Sequence, residues 1–216
     1  APQRLDATVE LPASKSISNR ALIIYALSGG THLPENLSDC DDTNVIIKAL
    51  QEMPEEIDIM AAGTAMRFMT AYLSVVPNGT HVLTGTERMK HRPIGILVDA
   101  LRLLGADISY VGEEGFPPLR ISGKRLKGGL LEIPGNVSSQ YISALLMIGP
   151  TLKKGLTLRL TGHIISRPYI DLTLWTMREF GAEADWTAAD TITVNPKPYQ
   201  DRPYFIENDW SGASYW

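Results

Sequence analysis

The chain has 216 residues, 44% of them hydrophobic and 20% charged, with a formal net charge of −4. That balance excludes bulk attraction to nucleic acid or an anionic membrane, so an anionic ligand would be held by local basic groups; no apolar run reaches the roughly 20 residues of a membrane span. A single cysteine, Cys40, excludes an intrachain disulfide, four histidines without ligand spacing argue against a metal site, and with no signal peptide at the start a cytoplasmic protein is expected.

Thr8 to Leu11 reads as a short apolar strand. Ser14-Lys15-Ser16-Ile17-Ser18-Asn19-Arg20 then opens an apolar helix that runs to about Leu27. Two cations and three hydroxyls thus stand where free backbone N–H groups and the positive end of a helix dipole point outward, which makes an anion site for phosphate or carboxylate. Ser16 and Arg20 are four apart and share a helix face. The plainer alternative is an N-capped helix with a solvated Lys and Arg. Gly29-Gly30 ends this helix, and a second is expected near Asp42 to Met53.

The next two stretches repeat one another. Gly63-Thr64 leads into a helix, a Pro77 turn, a strand at His81–Gly85, Arg92-Pro93 and a second helix closing at Gly105. Gly135 to Gln140 leads into a helix, a Pro150 turn, a strand at Leu158–Gly162, Arg167-Pro168 and a second helix closing at Gly181. The Arg-Pro pairs are 75 apart and the closing glycines 76. Proline in the first turn and glycine after the last mark helix limits, and hairpins are expected around Glu113–Gly115 and Ala188–Asp190. The opening stretch fits the first half of the same pattern, which predicts three strand-helix-strand-helix-strand-strand units. Ile96, Leu97, Leu101 and Leu104 are expected to face inward, as are Leu172, Leu174, Met177 and Phe180. The first helix of each unit is apolar nearly all round and should be fully buried.

Buried helices pointing one way would bring their polar N-termini to one end of the domain. Those loops carry Lys15, Ser16 and Arg20; Gly63, Thr64 and Arg67; and Ser138, Ser139 and Gln140. Arg92 and Ser166-Arg167 precede the second helices. Such a rim suits a small molecule with hydroxyls and anionic groups. Arg67 is equally readable as a structural ion-pair partner, Tyr169 as core packing and Ser166 as the cap before Pro168.

Six segments carry a family resemblance: Leu11–Arg20, Ala62–Arg67, Arg88–Pro93, Val137–Tyr141, Ile165–Tyr169 and Glu207–Tyr215. In this order, over essentially the whole chain, they resemble the 5-enolpyruvylshikimate-3-phosphate synthase family. The resemblance implies an inside-out α/β fold, with domains of three βαβαββ units around buried parallel helices. It also implies transfer of the enolpyruvyl group of phosphoenolpyruvate to shikimate 3-phosphate, with release of phosphate and without metal or organic cofactor. By resemblance Lys15 contacts both substrates and assists proton transfer. Ser16 and Arg20 hold the shikimate part, and Ser138, Ser139 and Ser166 hold its phosphate. Gln140 lies between the ligands, and Tyr169 borders the ring. Gly63, Thr64 and Arg92 line the phosphoenolpyruvate pocket, with Arg67 behind. The sequence departs from the family at Ala61, where Asn is usual, and at Phe68, where Pro is frequent.

The family's chains are about twice as long, so the resemblance implies a fragment. Residues 12–203 would form a complete three-unit domain, and residues 1–11 and 204–216 would be stubs of a second domain whose remainder is the implied partner. Such a fragment is expected to bind shikimate 3-phosphate weakly and to turn over negligibly alone. Two other readings stay open here: a UDP-N-acetylglucosamine enolpyruvyl transferase, and a non-catalytic binding module.

Overall fold

The structure is a computed structural model that describes residues 8–214 apart from Asn78. The expectations placed on residues 1–7, Tyr215 and Trp216 lie outside the described residues.

The opening helix α1 (Lys15–Ser28) starts at Ser14, whose Oγ accepts the Ile17 N–H. It stops at Gly29, where φ of +65° suits a residue without a β-carbon. α2 (Asp41–Glu52) follows, with acidic residues in its first turn where the dipole favours them. A complete unit then runs β1 (Glu56–Asp58), α3 (Gly63–Val75), β2 (Thr80–Thr84), the short α4 (Glu87–Lys90), α5 (Gly95–Leu103), β3 (Asp107–Tyr110) and β4 (Leu119–Ser122). The next runs β5 (Gly129–Pro134), α6 (Ser139–Ile148), β6 (Leu156–Thr161), α7 (Arg167–Glu179), β7 (Ala184–Ala188) and β8 (Thr191–Val194). A final turn of helix, α8 (Trp210–Ala213), lies near the C-terminal end.

Each complete unit makes a four-stranded mixed sheet, in the order β1-β2-β4-β3 and β5-β6-β8-β7. The first two strands of each are parallel (Ile57 opposite Leu83, Leu131 opposite Leu158), joined across α3 or α6. The last two strands of each form an antiparallel hairpin at the place expected. α3 is buried from Gly63 to Ser74 and α6 from Tyr141 to Ile148. The strands of β5 and β6 alternate buried and exposed residues, so one face of that sheet meets water. Helices inside and sheets outside give the inside-out α/β arrangement.

Three expectations need correction. Residues 8–12 form no strand: pairing with residues 204–210 is limited to one bridge, Ala13 to Asn208, flanked by two hydrogen bonds. Pro12 has no N–H with which to extend a ladder. The opening unit is abbreviated, because α2 reaches β1 through only residues 53–55, at the point where the other two units carry a hairpin. Among the described residues its strands are reduced to that bridge and one between Glu35 and Phe205. Ile96 is 45% exposed, since α5 starts at Gly95 and turns Leu97, Val98 and Leu101 inward.

Candidate active site

The starts of α1, α3 and α6 converge, as the repeat predicts, and the start of α7 joins them. Together they enclose a cleft of about 270 Å³. α1 contributes Lys15, Ser16, Asn19 and Arg20; α3 contributes Thr64; α6 and its cap contribute Ser138, Ser139 and Gln140; α7 contributes Tyr169. Ser138 Oγ caps α6 by accepting the Gln140 N–H at 3.3 Å. Gln140 Nε2 donates to Thr64 Oγ1 at 3.1 Å, which ties the α6 start to the α3 start. Tyr169 is 49% exposed, so it is a wall of the cleft and not core packing.

Arg20 is 3% exposed and has no carboxylate partner among the described residues. It donates to Thr173 Oγ1 (2.7 Å), Ser143 Oγ (3.1 Å) and the carbonyls of Ser16 and Tyr169. Its guanidinium also lies 5.5 Å from the centroid of the buried Phe68 ring, so the departure from the family at position 68 supplies the floor under this cation. Burial lowers Arg20 to about 10, and at neutral pH it remains a positive charge beside the cleft. Neutral dipoles hold it in place, and an anion in the cleft would be its counter-charge.

A second hollow of about 160 Å³ lies between Ala61, Arg88, Met89 and Arg92. Gly63 adjoins it, under the Arg92 guanidinium. Arg67 lies behind, 5% exposed. It donates to the carbonyls of Gly63 (2.9 Å) and Pro93 (3.3 Å) and faces the Tyr141 ring at 5.7 Å. Burial lowers its pKa, the Tyr141 phenol partly offsets this, and nearby Arg92 lowers it further. Arg67 therefore braces the carbonyls of Gly63 at the α3 start and of Pro93 in the loop, and has no ion-pair partner among the described residues. Ser166 stands apart from both cavities; it is exposed at the start of α7 with φ of +54°, and its side chain makes no cap bond.

Three residues escaped the sequence reading. Asn19 is fully buried in the cleft wall and accepts from Thr43 Oγ1 at 2.7 Å. Arg88 shares the second hollow with Arg92. Asp42, on α2, pairs with Lys15 Nζ at 3.2 Å and accepts the Thr64 N–H at 3.1 Å. The available signal for Asp42 was the acidic pair Asp41-Asp42 opening a helix, which reads equally as complement to the dipole.

No helix among the described residues is long and apolar enough to cross a membrane. The family profile of EPSP synthase (3-phosphoshikimate 1-carboxyvinyltransferase) matches residues 1–59 and 51–216. The two segments overlap over residues 51–59, across the point where the opening unit lacks its hairpin. A 3-phosphoshikimate 1-carboxyvinyltransferase of Bacteroides fragilis is 67% identical over 216 residues, covering 100% of this chain and 52% of the relative. One from Klebsiella pneumoniae is 40% identical over 240 residues, covering 98% of this chain and 56% of the relative. The EPSP synthase structure from Acinetobacter baumannii superposes with a TM-score of 0.84 at 23% identity, over 97% of this chain and 51% of that one; it shares the fold. The chain spans about half the length of the curated relatives it matches. It belongs to the EPSP synthase (3-phosphoshikimate 1-carboxyvinyltransferase) family.

Proposed function

We propose that this chain carries the shikimate 3-phosphate half-site, and part of the phosphoenolpyruvate site, of an enolpyruvyl transferase in aromatic amino acid biosynthesis. The observation that carries this reading is the convergence of the starts of three buried helices on one cleft holding Lys15, Arg20, the cap serine Ser138 and its neighbour Ser139. In the reaction a hydroxyl of shikimate 3-phosphate adds to C2 of phosphoenolpyruvate while C3 gains a proton. Loss of that proton and of phosphate then leaves the enolpyruvyl ether.

The residues divide by position. Ser138 and Ser139 at the α6 start offer hydroxyl and backbone donors to the 3-phosphate. Ser16 and Arg20 face the shikimate carboxylate and hydroxyls, and Tyr169 borders the ring. Gln140, bonded to Thr64, spans from this cleft toward Gly63 and Arg92, where the phosphoenolpyruvate anions meet guanidinium groups. Lys15 is 47% exposed and lines the first cleft; by resemblance it contacts both substrates, and it is the chain's candidate for moving a proton. Ser166 is placed by resemblance alone.

The division into residues 12–203 as one domain, with 1–11 and 204–216 belonging to a second, is part of the same proposal. Phe205 and Trp210, 63% and 73% exposed, are the surface that the second domain would cover. That second domain would close over the cleft and supply the remaining acid–base groups. A cytoplasmic setting suits the unpaired Cys40.

Calorimetric titration of the chain with shikimate 3-phosphate tests this, with UDP-N-acetylglucosamine as control. Saturable binding that is lost in Lys15→Ala and Ser138→Ala is expected. Absence of binding by the folded chain, alone and with the remaining half supplied in trans, would overturn the reading and leave a non-catalytic module. Preference for the nucleotide sugar would move the chain to the sister activity.

A further inference from the structure

Lys15 is the one cleft residue whose side chain is long, flexible and half exposed, so something must hold it if it is to act at a defined point. α1 itself supplies no such partner. The holder comes from α2: the Asp42 carboxylate takes Lys15 Nζ on Oδ2 and the Thr64 N–H on Oδ1. Its side chain is only 17% exposed.

The second bond has a local cause. The N-cap position of α3 is Ala62, which has no side-chain acceptor, and its neighbour Ala61 has none either. The open N–H groups and positive dipole end of α3 therefore draw a carboxylate from another helix. Next to Asp42, Thr43 donates to Asn19, one turn along α1 from Lys15. Two adjacent α2 residues thus grip two α1 residues four apart on one face, and fix α2 against α1 at the cleft.

We infer that Asp42 is a positioning residue: it orients the Lys15 ammonium toward the α3 start, between the two substrate regions, and caps α3 so that Gly63 and Thr64 keep their place. This rests on the transferase reading for its purpose, though not for its test.

The test is limited acylation of the folded chain with acetic anhydride at neutral pH, with peptide mapping by mass spectrometry. The readout is acylation of Lys15 relative to exposed Lys48 on α2. Asp42→Asn keeps an oxygen for the Thr64 N–H and removes the charge facing Lys15. It is expected to raise the Lys15/Lys48 ratio about threefold, as for a partly exposed ion pair, while Asp42→Glu keeps the ratio nearer the parent value. A purely structural cap would lower the melting temperature and leave the ratio unchanged, and an unchanged ratio overturns the inference. The parent chain gives the same answer without substitution, should the Asn variant fail to fold. Strong salt screens the pair and should raise the ratio about twofold, and a salt-independent ratio overturns it equally.

A binding comparison adds the functional side. Asp42→Asn is expected to weaken shikimate 3-phosphate or phosphoenolpyruvate binding about fivefold, and Asp42→Glu, which keeps the charge facing Lys15, by less than about twofold. Equal losses in both variants would show that Asp42 does not act through the charge that holds Lys15. The acylation needs no substrate, so failure of the ligand to bind counts against the proposed function alone.

Discussion

The guanidinium of Arg92 rests on the bare Cα of Gly63: a β-carbon built there would lie 2.3 Å from Nη1 and 2.9 Å from Cζ. The obstacle is the end of a flexible side chain, so Gly63→Ala should leave α3 intact and displace Arg92 instead. Alanine at a helical position gains about 0.5–1 kcal/mol over glycine, so the melting temperature should hold. Phosphoenolpyruvate affinity, measured with the remaining half supplied, should fall about tenfold, while shikimate 3-phosphate affinity changes little. Equal loss of both affinities would show that Gly63 serves the whole cleft and not the Arg92 side.

Tyr141 holds the loop that carries Arg92. Its hydroxyl donates to the Pro93 carbonyl at 2.6 Å, and its ring faces Arg67. Tyr141→Phe keeps the ring and loses the bond, and Arg67 still donates to the same carbonyl. The expected cost is about 1 kcal/mol, or a fall of roughly 2–4 °C in melting temperature. Phosphoenolpyruvate binding should weaken more than shikimate 3-phosphate binding, because the freed carbonyl follows Arg92. A variant with parent stability would mean that the bond is exchanged for water at no cost.

What could be read in advance was local. Ser14 before an apolar helix, Pro168 in a first turn and Gly29 after a last one are signals within a few residues, and each lies where expected. The repeat extended this to convergence of the helix starts, since equivalent units place equivalent caps at one end. Asp42 was invisible because its partners lie 27 and 22 residues away, on two other helices. No periodicity encodes such a contact. The missing hairpin was hidden differently: residues 53–55 are a plausible turn, and the repeat pattern was extended across them. Phe68 reads in the sequence only as a departure from the family's frequent Pro, and the fold places its ring under the Arg20 guanidinium.

Asp201 ties the loop after α1 to the returning chain. It accepts the N–H groups of Thr31 and His32, the Thr31 hydroxyl and His32 Nδ1. The Thr31 N–H is the largest influence holding its carboxyl down, at about 2 against an ordinary 3.8. A carboxyl depressed in the folded state contributes stability that is complete above the unfolded value and is lost as pH falls through the folded one. The loss should therefore lie between about pH 4 and 2. Acid unfolding followed by circular dichroism should show a shallower decline in that window for Asp201→Asn, from a lower starting stability. Parallel curves would show that the tether is already broken in solution.

Arg20 separates binding from stability most sharply. Its burial lowers its pKa from the ordinary arginine range to about 10, a cost of roughly 3 kcal/mol in holding the charge inside. Below about pH 10 the group is charged in both folded and unfolded chains, so the cost is full and constant from pH 5 to 9. Above about pH 10 the unfolded chain holds a proton that the folded one has lost, and the cost is relieved as pH rises. Ser143 Oγ and Thr173 Oγ1 are themselves 2.7 Å apart, so Arg20→Met leaves two hydroxyls that satisfy each other. A buried cation replaced by an apolar side chain of similar length is commonly neutral or stabilising. Arg20→Met should accordingly melt at or above the parent temperature at every pH from 5 to 9, and should fail to bind shikimate 3-phosphate. A destabilised variant that still binds would reverse both halves of the argument: the cation would then serve to join α1, α6 and α7, and the ligand's counter-charge would have to come from Lys15.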